Sequence, residues 1–438
     1  MNEEEEIEYK SIYTWIFSIN YLQQGLVTSI YSVIIPIYIL LLIEEGGLSI
    51  TPSDIAYIAS IITIPWAIKL FFGIVADKFG LKNYGRRRPW IFGALLIATV
   101  MWMLMPVFIS PVNIIMIVII TGVIINTGVA FSDTALDGFI IDICPKERLG
   151  RVQGFVWGLR SIGIIAGGPV LAALVVFGHL SVQLIFVLQG FLTLISAFSI
   201  LIVREPKDYP EAKIKQHFKG LFNTKRDWIT YTFAFFNNMI GDVMVLFLSL
   251  FILLEMGLVE LKGRNLSLGI KTLDIYMFQA NITLIIAIGI VIGSIVGGQI
   301  ADKKTRKYAT YAGCLLTTVS LLLMLIPTHW TILLFFTVII GLALGWRHSA
   351  YSAVVGQYAK KHPEMDSTYL SVANSFTNFG ATVGLLITGL IFELFFSYMM
   401  LFIILAILSN LTIIPFLFMN IADYEHSFDK KEMILDLK

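Results

Sequence analysis

Apolar residues recur along this chain in runs of about twenty, separated by short polar intervals rich in lysine and arginine. A helix rises about 1.5 Å per residue, so a run of that length covers the roughly 30 Å of hydrocarbon in a bilayer. The pattern predicts twelve membrane-spanning helices, over residues 12–43, 53–77, 89–109, 112–143, 149–178, 181–203, 228–255, 272–301, 308–326, 329–359, 367–393 and 397–421. Several are longer than the bilayer is thick, so they are expected to tilt or to extend into water. A soluble core explains one such run, residues 112–125 for instance, but not a dozen. The expected fold class is an all-α membrane protein.

The polar intervals set the orientation. One set of loops carries Lys78, Lys82, Arg86, Arg87, Arg88, Lys146, Arg148, Arg151, Lys303, Lys304, Arg306, Lys307, Lys360 and Lys361, and the stretch 204–226 adds seven more Lys and Arg. The opposite set holds only Lys262, Arg264 and Lys271. Basic loops stay in the cytoplasm, which places both termini and the middle interval there. The first residues include Glu3, Glu4, Glu5 and Glu6. An acidic start before a long apolar run does not fit a cleaved signal peptide, so the first helix is expected to remain as its own insertion signal.

The chain also repeats itself. Gly73-Ile-Val-Ala-Asp77-Lys78 ends the second span, and Gly298-Gln-Ile-Ala-Asp302-Lys303 ends the eighth. At a slightly shorter offset, Gly128, Ser132 and Gly163 correspond to Gly345, Ser349 and Gly380. The longest internal polar interval, which contains Pro206 and Pro210, divides the spans six and six. The expected organisation is an N-terminal six-helix bundle over 1–203, a cytoplasmic linker over 204–227, and a pseudo-symmetric C-terminal bundle over 228–438 with a short cytoplasmic tail. Two parallel six-helix halves with a site between them are the architecture of the major facilitator fold.

Gly73–Gly80, followed by Gly85-Arg86-Arg87-Arg88-Pro89, resembles the major facilitator signature between spans two and three. Gly73 and Gly298 suit close helix approach. Asp77 and Asp302 suit a latch that meets a helix N-terminus or an arginine. Arg86, Arg87 and Arg88 fix topology and meet anionic lipid heads. Within that superfamily, Asp133-Thr-Ala-Leu-Asp137-Gly-Phe-Ile-Ile-Asp142, Pro145–Gly150 and Gly158-Leu-Arg160-Ser-Ile-Gly163 look like AmpG-type muropeptide permeases, with acetyl-coenzyme A transporters and PucC-type proteins sharing much of the pattern. The segment Gly85–Trp90 is also similar to sugar–cation symporters of the glycoside–pentoside–hexuronide and sucrose-carrier groups. The resemblance implies a secondary transporter in the cell (inner or plasma) membrane. It would move a small sugar-, muropeptide- or metabolite-like solute by alternating access, coupled to protons or else sodium. A sugar–cation symporter and a non-transporting PucC-like assembly or sensor protein are the alternatives.

Composition agrees: 57% of residues are hydrophobic and 14% charged, against roughly 25% charged in soluble domains. The net charge of +1 gives no bulk field for nucleic acid. Cys144 and Cys314 are too few for a disulfide framework. The sequence offers no metal-ligand set, no nucleophile motif and no Walker loop, so no enzyme, metal or cofactor is expected, only a solute, a coupling ion and lipid, with the chain as a monomer.

Ionisable groups at bilayer depth are costly and mark function. They are Lys69, Asp133, Asp137, Arg160, Asp242, Arg347 and His348. Asp133 and Arg160 each lie twelve residues from a cytoplasmic boundary, roughly 18 Å deep. Asp137 shares the face of Asp133. An ion pair of Arg160 with one aspartate leaves the other free to take up a proton, and Asp142 belongs to the inner latch. Lys69, Asp242, Arg347 and His348 are candidates for the solute cavity. So are the amides Gln23 and Gln24 in span one, Asn237 and Asn238 in span seven, and Asn374 and Asn378 in span eleven, whose donors and acceptors suit hydroxyls or peptide groups and equally suit helix–helix contacts.

The topology is directly testable. Engineered cysteines at Arg87, Lys215 and Lys304 should resist a membrane-impermeant thiol reagent added outside intact cells, while cysteines at Glu45 and Arg264 should react. Labelling at Lys215 from outside would overturn the six-plus-six arrangement.

Overall fold

The computed structural model describes residues 9–80, 84–205, 220–269, 274–359 and 366–425. The acidic start, Lys82, Lys271, Lys360, Lys361, most of the middle interval with Pro206, Pro210 and Lys215, and the C-terminal tail lie outside the described residues.

Among the described residues, eleven helices are long and apolar enough to cross a membrane. They are Ser11–Glu45, Pro52–Lys78, Arg88–Phe108, Ile114–Ile143, Arg151–Val176, Val182–Ile202, Lys225–Glu255, Ile275–Lys303, Trp330–Ala359, Thr368–Phe395 and Tyr398–Leu417. A further helix, Arg306–Leu323, stands where the ninth span is expected. It falls short of that measure because it opens on Arg306 and Lys307 and buries Thr310, Thr317 and Ser320. Large apolar side chains such as Ile97, Met116, Ile195, Leu315 and Phe335 are exposed along the helices, as a lipid-facing surface requires.

Two compact units form. One comprises the described residues of Met1–Gln216, Asp242–Leu284 and Thr382–Tyr398, the other those of His217–Gly241, Ile285–Ala381 and Met399–Lys438. Spans 7, 8 and 11 thus contribute to both units.

Span 12 breaks between Asn410 and Ile413, and spans 1, 2 and 7 are interrupted, each for a local reason. Span 1 carries a π-helical turn at Ile30–Ile34 before Pro36. Proline has no N–H for the carbonyl four residues back, and that carbonyl, Ser32 O, accepts Nε2 of Gln279 at 3.1 Å instead. Span 2 contains Pro65, stops at Ala67 and resumes at Lys69. Span 7, expected as one helix over 228–255, breaks after Asn237 into a short turn and then takes a π-helical turn at Met244–Leu248. The paired amides and π turns of spans 1 and 7 stand at one common offset, so the interruption belongs to the repeat. Both tight π turns at corresponding points mark places where the helix can change pitch.

The loop after span 7 adds a feature to the all-α plan. Strand β1 (Val259–Lys262) pairs antiparallel with β2 (Asn265–Leu268). Leu266 N donates to Ile50 O at 2.7 Å, Leu268 N donates to Glu44 Oε2 at 2.8 Å, and the Arg264 guanidinium lies 5.8 Å from the Phe396 ring centre. Nearby, Ser60 Oγ donates to Thr382 O at 3.0 Å. The hairpin therefore fastens the loop between spans 1 and 2 to its own. Bridged residues of antiparallel strands have Cα atoms within disulfide reach. With Cys144 and Cys314 replaced by alanine, Ile50→Cys/Leu266→Cys should cross-link on mild oxidation in membranes, read as a linked peptide by mass spectrometry. Free thiols at both positions after oxidation would show that these loops do not meet.

Candidate functional site

The middle of span 4 carries the densest polar chemistry. Asp133 is fully enclosed, and both its oxygens are met by cations: Lys69 Nζ pairs with Oδ2, and Arg160 Nη1 donates to Oδ1 at 3.2 Å. Lys69 reaches this point because the Pro65 kink restarts span 2 at Lys69 itself. Arg160 reaches it because spans 1 and 5 touch backbone to backbone one turn away. A Cβ on Gly163 would stand 2.6 Å from Leu22 O and 3.0 Å from Gly25 Cα, so only glycine fits. The two cations share the Trp66 ring, at 5.7 Å for Lys69 and 5.4 Å for Arg160, and Arg160 also lies 4.9 Å from Trp157. Trp66 is held by its own Nε1–H bond to Asn126 Oδ1 at 2.8 Å.

Asp137, one turn on, is treated differently. It accepts a hydrogen bond from the Tyr21 hydroxyl, and among the described residues no cation lies within ion-pair distance of it. The cluster thus holds two cations and two carboxylates, with both cations on one carboxylate.

The expectation that Arg160 alone keeps an aspartate paired needs correction, since Lys69 sits on the same carboxylate. Losing Arg160 does not strand Asp133. Two other assignments also change. Gln23 is fully buried and donates to Thr193 Oγ1 at 2.9 Å, so it joins spans 1 and 6 instead of lining open space. Arg347 is 3% exposed and donates to Asn237 Oδ1 at 3.1 Å, to Phe236 O at 3.2 Å and to Thr412 Oγ1. It closes the broken end of span 7, where free carbonyls and the negative helix terminus favour a cation. Buried polar groups need partners, and Gln23 Nε2 and Arg347 Nε and Nη2 find them in neighbouring helices, while Gln23 Oε1 and Arg347 Nη1 find none among the described residues.

The other candidates are scattered. Gln24 is buried, and among the described residues neither of its amide atoms has a hydrogen-bond partner. Asn238 sits in the turn of span 7 and Asp242 is exposed just beyond it. His348 is exposed, its ring 6.3 Å from Tyr351. Asn374 is exposed and Asn378 half-buried.

At the basic end, Arg87 pairs with Asp77 at 2.8 Å and with Asp142 at 2.5 Å, and Arg86 pairs with Asp142 at 3.0 Å. Gly73 packs on Thr134 of span 4, and Gly298 on Ser349 of span 10. Asp302 is exposed at the end of span 8, within electrostatic reach of Arg306. One residue escaped the sequence reading. The fully buried Glu205 carboxylate accepts the backbone N–H groups of Arg86, Arg87 and Arg88 at 2.9, 2.6 and 3.0 Å, capping span 3. Glu425 does the same for Arg306 and Lys307 at the start of the ninth span, at 3.0 and 2.7 Å. A single offset relates Glu205 with Arg86 and Arg87 to Glu425 with Arg306 and Lys307, and that repeat was the available signal. Tyr21, Trp66 and Trp157 were missed too, since aromatic residues in apolar runs carry no pattern.

Fold and site together define a polytopic membrane protein of two related helical halves with a charge cluster at bilayer depth. A sequence profile of the Major Facilitator Superfamily matches residues 17–270 and 265–433, and the chain belongs to that family. It is similar to "Probable folate-biopterin transporter 4" of Arabidopsis thaliana, 22% identical over 44% of this chain and 38% of that one. It is similar to the transporter AmpG 1 of Rickettsia bellii (strain RML369-C), 24% identical over 56% of this chain and 60% of that one. The matches span less than two thirds of either relative's length. The crystal structure of a D-xylose-proton symporter superposes with a TM-score of 0.68 at 14% identity, over 94% of this chain and 99% of that one.

The two caps and the latch should differ in weight. Glu205→Gln removes a buried charge from three N–H donors and should destabilise by about 2 kcal/mol, lowering the apparent melting temperature in detergent. Asp77→Asn should cost less than about 1 kcal/mol, because its ion pair is 40% exposed on the carboxylate side. Equal losses in the two variants would refute this ranking.

Proposed function

We propose that this chain is a secondary transporter that moves a small organic solute by alternating access and couples that movement to protons through Asp137. The carrying observation is the unequal treatment of two carboxylates one turn apart. Asp133 is neutralised by Lys69 and Arg160, while Asp137 is met by one tyrosine hydroxyl. A carboxylate at bilayer depth without a partner cation is stabilised by taking up a proton. Release follows when its surroundings open to water. Asp133 is the fixed counter-charge, Lys69 and Arg160 hold it, and Tyr21 orients Asp137.

The family supports transport, and a D-xylose-proton symporter shares the fold by its printed description. The solute remains a sugar-, muropeptide- or metabolite-like molecule. Sugar–cation symport of the glycoside–pentoside–hexuronide type fits the same cluster. A non-transporting assembly protein has no use for a carboxylate poised in this way. The chain would reside as a monomer in the cytoplasmic membrane with both termini inside, without enzymatic activity.

Proteoliposomes loaded with cell-extracted solutes, with and without an inward proton gradient, identify a transported compound. With that compound, Asp137→Asn should fold, keep solute exchange within about threefold of wild type, and lose gradient-driven accumulation, since exchange needs no net proton release. Asp133→Asn should instead lower expression or melting temperature, because it leaves two buried cations without their shared anion. If both variants accumulate solute as the wild type does, Asp137 is not the coupling group.

A further inference from the structure

Resting on the transport reading, we infer that Arg160, held between Trp66 and Trp157 and backed by Lys69, receives an anionic group of the transported solute, a carboxylate or a phosphate ester. A guanidinium offers five N–H groups in a planar fork. Arg160 gives one contact to Asp133 through Nη1 at 3.2 Å, on a carboxylate whose other oxygen Lys69 already occupies. Among the described residues its Nε and Nη2 have no hydrogen-bond partner, and neither is among the enclosed polar atoms that lack one. They reach accessible space.

Span 5 is exposed around Arg160. The same helix presents Gly154 and Gly158, where an added Cβ would meet nothing within 4 Å, together with exposed Ser161 and the partly exposed Trp157. A cation with unpaired N–H groups at bilayer depth has no place against acyl chains, so it faces a water-accessible path. The two indoles fix the guanidinium plane, at 5.4 and 4.9 Å. An arginine whose plane is fixed loses little further freedom on gripping a carboxylate or phosphate in two-point fashion.

Charge accounting points the same way. Around Asp133 the cluster carries two cations against one contacted anion. When Asp137 takes a proton, the excess positive charge is left uncompensated, and an anionic solute group restores neutrality. Proton uptake and anion binding therefore favour one another. The proton and the anion would travel together, and the resident ion pairs need not break.

Simple anions test this without knowing the solute. Sodium acetate and sodium phosphate, titrated into purified protein at ionic strength held constant with chloride, should change tryptophan fluorescence saturably and raise the melting temperature. The response should grow as pH falls. Trp157→Phe should remove most of the fluorescence change. Arg160→Gln should abolish saturable binding while melting within a few degrees of wild type, since Lys69 keeps Asp133 paired. Arg160→Lys should weaken binding at least about tenfold, because a point charge cannot replace the fork. A response to acetate alone, or to phosphate alone, identifies the acceptor group. A response that requires phosphatidylglycerol in the vesicles and ignores soluble anions assigns the group to lipid and overturns the solute assignment. The inference also falls if wild type responds to neither anion, or if Arg160→Gln responds as wild type does. Proton-coupled movement of a neutral solute, found alongside such a failure, leaves the transport reading standing and removes only the anion.

Discussion

Backbone groups inside a bilayer have no water to turn to, so every interruption of a helix must be repaired by another part of the protein. This constraint organises the structure. Pro36 frees the Ser32 carbonyl, and Gln279 takes it. Span 7 breaks after Asn237, and Arg347 closes on the Phe236 carbonyl. The N-terminal N–H groups of span 3 meet Glu205, and those of the ninth span meet Glu425. In each case the repairing side chain comes from a distant stretch of sequence. Local defects have thereby become tertiary contacts that hold helices able to change pitch.

The repeat is kept in geometry and abandoned in charge. Glycines at the crossings, π turns in the first helix of each half, carboxylate caps and the small-residue contacts of spans 2 and 8 all recur. The four-charge cluster does not recur. At the matching offset, Asp133, Asp137 and Arg160 correspond to Ala350, Val354 and Thr377, and the second half keeps Arg347 as a structural clamp. Duplication supplies a scaffold of two similar bundles. Function then needs only one of them to carry charges, because each buried ion adds a desolvation cost that its partner must offset.

The same difference explains what the sequence disclosed. Spans were legible because hydropathy is an additive property of a window, and the latch was legible because its residues adjoin in the chain. Asp133, Asp137 and Arg160 stood out because ions in apolar runs are rare. The sequence could not say which side chains face inward together. Lys69 was a candidate for the solute cavity, and the Pro65 break turns it toward Asp133. Gln23 and Gln24 looked equivalent, yet one bonds Thr193 and the other has no partner among the described residues. Glu205 was invisible because a glutamate in a basic linker reads as solvated, and only its repeat as Glu425 marked it as a cap. The hairpin at Val259–Leu268 was missed because two four-residue strands of mixed polarity in a loop carry too little pattern to be told from coil.

The cluster is linked to the basic end of spans 2 and 4. The lower segment of span 2, Lys69–Lys78, is tied at its top by Lys69 to Asp133 and near its bottom by Asp77 to Arg87, which also holds Asp142. Lys69 and Asp77 are about 12 Å apart along their helix, and Asp133 and Asp142 about 13 Å along theirs. Spans 2 and 4 are therefore joined by two ionic rungs of matching spacing, and Ile68 provides a hinge directly above the upper one. The two rungs differ in kind. The lower rung is partly exposed and screened by salt and water, while the upper is enclosed and sensitive to any change of charge beside it. Asp137 lies on span 4 between the rungs. Under the proposed coupling, a proton arriving or leaving there would alter the field at Lys69 far more than at Arg87, so its effect would be felt first beside the break at Ile68, and the lower segment of span 2 would be the element placed to convert it into movement.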